Sequence, residues 1–186
     1  IDDATRRFQK GWIDKCLLHG AAPTAIYALR HIPGGCRVYT GVDLGTSEKT
    51  SSDRTVLFTG LVYPNGDREV LNIESGQWTG PTIIEKIKDV HRRYGGIVLV
   101  ESNAAQVFIK QFVAKGSALP VMEFNTGKNK LDEHFGLESM GVEFYNEKWI
   151  IPSRGGIGAN DEINAWISEM LNYTPSTHTG DRLMAA

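Results

Sequence analysis

Residues 97–100, Ile-Val-Leu-Val, form an apolar run with no polar residue to face water on either side. A half-exposed strand alternates. A short continuous run is the pattern of a strand buried on both faces, in a sheet with helices above and below it. The flanking sequence supplies one such helix. Gly80-Pro81 opens it, with proline suited to a first helical turn. Ile83, Ile84, Ile87 and Val90 recur at helical spacing, and Gly95-Gly96 ends it.

Upstream, residues 37–43 and 55–63 read as strands, the second rich in β-branched and aromatic residues. Residues 64–67, Pro-Asn-Gly-Asp, are a turn with Asn65-Gly66 as its hairpin dipeptide, and 68–74 return as a third strand. Downstream, Asn103 and Gln106 have capping-box spacing for a helix carrying Phe108, Ile109, Phe112 and Val113. Residues 119–124 read as a strand and 128–141 as a helix. Residues 148–152 are extended, 153–160 a loop, and 161–173 a helix with Ile163, Trp166, Ile167, Met170 and Leu171 on one face. Trp149 and Trp166 are expected to pack in the interior. Residues 174–180 read as a loop, and Asp181 starts a last helix. The order is β, β, β, α, β, α, β, then helices, which implies a mixed central sheet with helices on both faces.

The chain has 186 residues, enough for one well-cored domain. Its net charge of −2 gives no global basic field of the kind a dedicated nucleic-acid binder often shows. Cys16 and Cys36 form no paired motif, so neither a disulfide framework nor a zinc site is expected, and a reducing compartment fits. No run approaches the ~18 apolar residues of a membrane span. The charged opening is not that of a signal peptide. The absence of an initiator methionine and the break at the start of a helix read as a piece of a longer protein.

Three acids stand out by position. Asp43 ends the first strand, Glu101 directly follows the apolar run, and Asp181 lies at a loop-to-helix junction. If the first and fourth strands are parallel neighbours, Asp43 and Glu101 emerge at the same sheet edge, where ligands bind in open α/β sheets. A late helix returning there would add Asp181. Three carboxylates repel one another unless a divalent cation lies among them, and hard oxygen donors select Mg²⁺ or Mn²⁺. Plainer roles stay open at this point: turn formation for Asp43, solvation or helix capping for Glu101, and stabilisation of a helix start for Asp181.

The stretches YTGVDLGTSEKTSSDRTVLFTGLV, IVLVESNAAQVFIKQFV and HTGDRLMAA resemble the three acidic motifs of the nuclease domain of phage terminase large subunits, a ribonuclease H-like fold. TGKNKLDEHFGLESMGVEFYNEKWIIPS resembles the segment between them. The likeness covers residues 37–186. It implies that residues 1–36 lead in from an upstream ATPase domain; no GxxxxGK[ST] occurs in this chain. It further implies that Asp43, Glu101 and Asp181 hold two Mg²⁺ or Mn²⁺ ions for in-line hydrolysis of double-stranded DNA. Asp53 is a peripheral candidate, and His178 a candidate proton shuttle. Gly180 and Arg182 flank Asp181 where many members carry a further acid, so a fourth ligand has to come from elsewhere. Lys49, Arg54, Lys128, Lys130 and Arg154 are candidates for phosphate contacts, which position DNA without reading its sequence. The implied partners are DNA, the ATPase domain, the portal and the small terminase subunit, with the host cytoplasm as the location and a monomeric state for the chain alone.

Three other functions fit parts of the sequence. GVDLGTS also resembles the first phosphate loop of actin-like and sugar-kinase ATPases, although no second glycine-rich phosphate loop follows Glu101. A resolvase-like ribonuclease H-like nuclease would share the chemistry. A catalytically inactive fold that docks DNA or a portal protein is the third.

Overall fold

The computed structural model describes residues 6–20, 32–45, 54–101, 119–124, 136–174 and 180–186, with the backbone alone at Glu101 and Phe124. The expected helix over 103–113, the residues 125–135 and the residues 175–179 lie outside this set. So do the candidate residues Lys49, Asp53, Lys128, Lys130 and His178.

Six strands form one mixed sheet in the order β5-β4-β1-β2-β3-β6. Strand β1 is Arg37–Asp43, β2 is Thr55–Val62, β3 is Arg68–Gly76, β4 is Ile97–Glu101, β5 is Val121–Phe124 and β6 is Trp149–Ile150. The β1-β2-β3 meander is antiparallel. Strand β4 lies parallel to β1, β5 parallel to β4, and β6 parallel to β3. The apolar run 97–100 therefore lies inside the sheet between β5 and β1, but only Val98 and Val100 are buried, while Ile97 and Leu99 on the other face stay partly exposed. Tyr63 N–H donates to Asp67 O at 2.9 Å and Gly66 N–H to Tyr63 O at 2.9 Å, with Gly66 at φ +86°. The loop is thus a three-residue hairpin with glycine in the left-handed position, rather than a two-residue Asn-Gly turn.

Helix α1 is Lys10–His19, α2 Gly80–Tyr94, α3 Leu137–Tyr145, α4 Asp161–Asn172 and α5 Asp181–Ala185. Among the described residues none is long and apolar enough to cross a membrane. Helix α2 covers one face: its buried Ile83, Ile84, Ile87 and Val90 pack with Val42, Leu57, Val98 and Val100. Each such fully buried aliphatic side chain contributes about 1.5–3 kcal/mol. Helices α1, α3, α4 and α5 share a second cluster with Val56, Phe58, Val70 and Ile73. At its centre Phe144 stacks on Trp149 at 5.4 Å, and Phe58 meets Trp166 edge-on at 5.0 Å. Both tryptophans are buried, as the sequence predicted. Helix α1 belongs to this core through Ile13, Cys16 and Leu17, while the preceding Phe8 meets Phe144 edge-on.

The 153–160 segment differs from the loop expected of it. Ser153–Arg154 and Ile157–Gly158 pair as a short hairpin, β7-β8, across Gly155 and Gly156 at φ +62° and +82°. Both glycines have positive φ, as a two-residue primed turn requires. The helix expected over 128–141 is described only as α3, which runs four residues further, to Tyr145.

Candidate active site at the carboxyl edge of the sheet

The register of β1 and β4 decides which residues meet. Val42 is level with Val100, so Asp43 and Glu101 occupy adjacent positions in the next row. Neighbouring strands lie about 4.8 Å apart. Side chains alternate along a strand, and Val42, Val98 and Val100 belong to the α2 face. Asp43 has the opposite parity. It is also the cross-strand partner of Val56, which is part of the α4-α5 cluster. Asp43 therefore faces the layer that contains α5, and it is half-buried. The backbone of residue 101 has the same parity.

Helix α5 lies over this part of the sheet, against β1 and β2. The approach is so close that a Cβ on Gly41 would fall 1.9 Å from Ala185 O. The opposite end of the helix carries Asp181, whose Oδ2 accepts the Arg54 backbone N–H at 3.4 Å. Arg54 directly precedes β2, and Val56 of that strand is opposite Asp43. Asp43, the backbone of Glu101 and Asp181 are thus brought to one corner, at the carboxyl ends of β1 and β4.

Among the described residues no group of three Asp, Glu, His or Cys side chains forms a ready metal cage; the Glu101 side chain is outside that set. The described donors at the corner are carboxylate oxygens, the set that suits Mg²⁺ or Mn²⁺. Among the described residues, Asp181 accepts this one long hydrogen bond.

Beside Asp181 stands a cluster that the sequence reading missed. Arg182 Nε donates to Glu162 at 2.8 Å, Nη1 to Glu169 at 2.8 Å and Nη2 to Ser75 Oγ at 3.0 Å. Ser75 Oγ in turn donates to Glu162 at 2.9 Å and accepts from Arg54 Nε at 3.3 Å. Burial works against the Arg182 charge, but the bonds to Glu162 and Glu169 outweigh it and hold the guanidinium above its usual range. The available signal was the seven-residue spacing of Glu162 and Glu169, two turns along one side of α4.

Of the basic candidates, Arg54 is exposed at the corner. Arg154 is exposed on the β7-β8 hairpin, which packs against α1 and α4. A separate cleft of about 380 Å³ opens nearer the amino end of β1, where its described lining includes Tyr39, Gly60, Leu99 and Ala186 but none of the three acids.

The architecture is a mixed α/β sheet with helices on both faces, and solved structures share it. The large terminase nuclease from thermophilic phage G20c with bound zinc superposes with a TM-score of 0.57 at 12% identity, covering 83% of this chain and 86% of that one. The same nuclease with bound magnesium gives 0.56 at 13% identity, over 82% and 79%. The large terminase of bacteriophage HK97 gives 0.57 at 12% identity, over 80% of this chain and 34% of that one. The chain thus has the fold of the large-terminase nuclease domain. No family model and no curated protein sequence matches it.

Proposed function

We propose that the chain is the nuclease domain of a viral DNA-packaging terminase, a Mg²⁺- or Mn²⁺-dependent endonuclease that cuts concatemeric double-stranded DNA. The observation that carries this is the corner itself: β1–β4 register and the docking of α5 bring Asp43, residue 101 and Asp181 together, in a fold shared with terminase nucleases. In this reading Asp43, Glu101 and Asp181 hold two divalent ions. When bound, such ions activate water and stabilise charge on the leaving 3′-oxygen.

The chain's own residues would supply position and charge. Asp43 and Glu101, on neighbouring strands, would set the spacing of the carboxylates, and Asp181 would close the third side. Arg54, with Lys49, Lys128, Lys130 and Arg154, would hold the DNA backbone by its phosphates. Asp53 would be peripheral and His178 a proton carrier. Residues 1–36 would connect to an upstream ATPase domain, and the portal and small terminase subunit would be partners in the host cytoplasm.

The test is nicking of supercoiled plasmid in Mn²⁺, Mg²⁺ or EDTA, beside Asp43→Ala and Glu101→Ala. Metal-dependent cleavage that both substitutions abolish at unchanged melting temperature is the expected outcome. Cleavage that persists in either variant would refute the assignment.

A further inference from the structure

Helix α5 has five residues, too few to be stable alone. Its N-cap is Gly180, which has no side chain to cap the first turn. Glu169 performs that task from the neighbouring helix: its Oε2 accepts the Leu183 N–H at 3.0 Å while Oε1 takes Arg182. A Cβ on residue 180 would lie 2.4 Å from the Glu169 carboxyl, so glycine lets the carboxylate come this close without shifting. All three nitrogens of the Arg182 guanidinium are engaged, two with α4 and one with Ser75 on β3. The side chain is 14% exposed, a degree of burial that favours a fixed position over a flexible surface pair.

We propose that Arg182, Glu162, Glu169 and Ser75 are positioning residues for Asp181. They fasten the start of α5 to the sheet and to α4, and thereby set where the Asp181 carboxylate stands relative to Asp43. This rests on reading the corner as a metal centre. It also explains why an arginine can follow Asp181 directly: its charge is directed into two carboxylates rather than at the bound cations.

The sign of the effect distinguishes positioning from simple electrostatics. Removing a positive charge beside a cation site strengthens cation binding if charge alone matters. If Arg182 acts by placing Asp181, its removal weakens binding, by about 10–100-fold as for other supports of metal ligands. The experiment is calorimetric titration of the 186-residue chain with Mn²⁺, well below its melting temperature, for wild type, Arg182→Gln, Arg182→Lys and Ser75→Ala, with circular dichroism as the check on folding. Weaker binding in Arg182→Gln is expected. Arg182→Lys should fall in between, because an ammonium cannot match a three-way planar fork. Ser75→Ala changes no charge and should also bind more weakly; it decides the matter if Arg182→Gln does not fold. Unchanged or tighter binding in the folded variants would overturn the positioning role while leaving the metal centre intact. No Mn²⁺ binding by the wild type would overturn the metal centre, and this inference with it.

Discussion

Gly41→Ala adds one methyl group at the point where α5 crosses β1. The new Cβ would lie 1.9 Å from Ala185 O, and real Cβ contacts essentially never fall below 3.0 Å, so the helix has to retreat by about 1.1 Å. Overpacking of this kind costs about 1–3 kcal/mol. Alanine in place of glycine also restricts the unfolded chain, which works the other way by about 0.4–1 kcal/mol. The net loss expected is therefore between about 0 and about 2.6 kcal/mol, or up to roughly 10 °C in melting temperature for a domain of this size. Asp181 begins the same five-residue helix, so its carboxylate shifts as well. A misplacement of about 1 Å is enough to lower a rate ~100-fold. Urea denaturation measures the first effect and plasmid nicking in Mn²⁺ the second. A Gly41→Ala protein that denatures and cleaves like the wild type would show that α5 does not press on β1.

Two further substitutions test the packing and charge around the sheet. Thr40 and Thr59 are both buried, and their hydroxyls meet at 3.1 Å. Thr59→Val should cost about 1–3 kcal/mol by stranding the Thr40 hydroxyl, whereas the double valine variant should be nearly neutral, as urea titrations would reveal. Burial works against the Glu74 charge, but Arg93, Lys86 and Asn72 outweigh it and hold the carboxyl below its ordinary value of 4.5. The stabilisation is therefore complete above pH 4.5 and is lost as pH falls through the lower folded-state value. Glu74→Gln should accordingly be less stable than wild type at neutral pH, with the gap between their urea midpoints closing in acid.

The strands were legible in the sequence because each carries its own local signal. Residues 97–100 are apolar throughout, 55–62 are β-branched and aromatic, and Gly66 marks the turn between β2 and β3. The β7-β8 hairpin escaped notice because strands of two residues cannot display alternation, although Gly155-Gly156 is a hairpin dipeptide. The placement of β6 beside β3 depends on Trp149 packing with Phe58 and Phe144, contacts between residues remote in sequence. The same division applies to the site. Asp43 and Glu101 stand at strand ends that could be read directly, whereas Asp181 drew its meaning chiefly from resemblance. The Arg182 cluster joins positions 75, 162, 169 and 182 from three separate elements, and the spacing of Glu162 and Glu169 along α4 does not by itself point to Ser75 or Arg182.

The most direct test is a crystal of the chain soaked in Mn²⁺, with anomalous scattering used to locate the ions. Manganese between Asp43, Glu101 and Asp181, at the carboxyl ends of β1 and β4, is the expected result. Manganese bound elsewhere, with this corner empty at saturating concentration, would contradict the central claim.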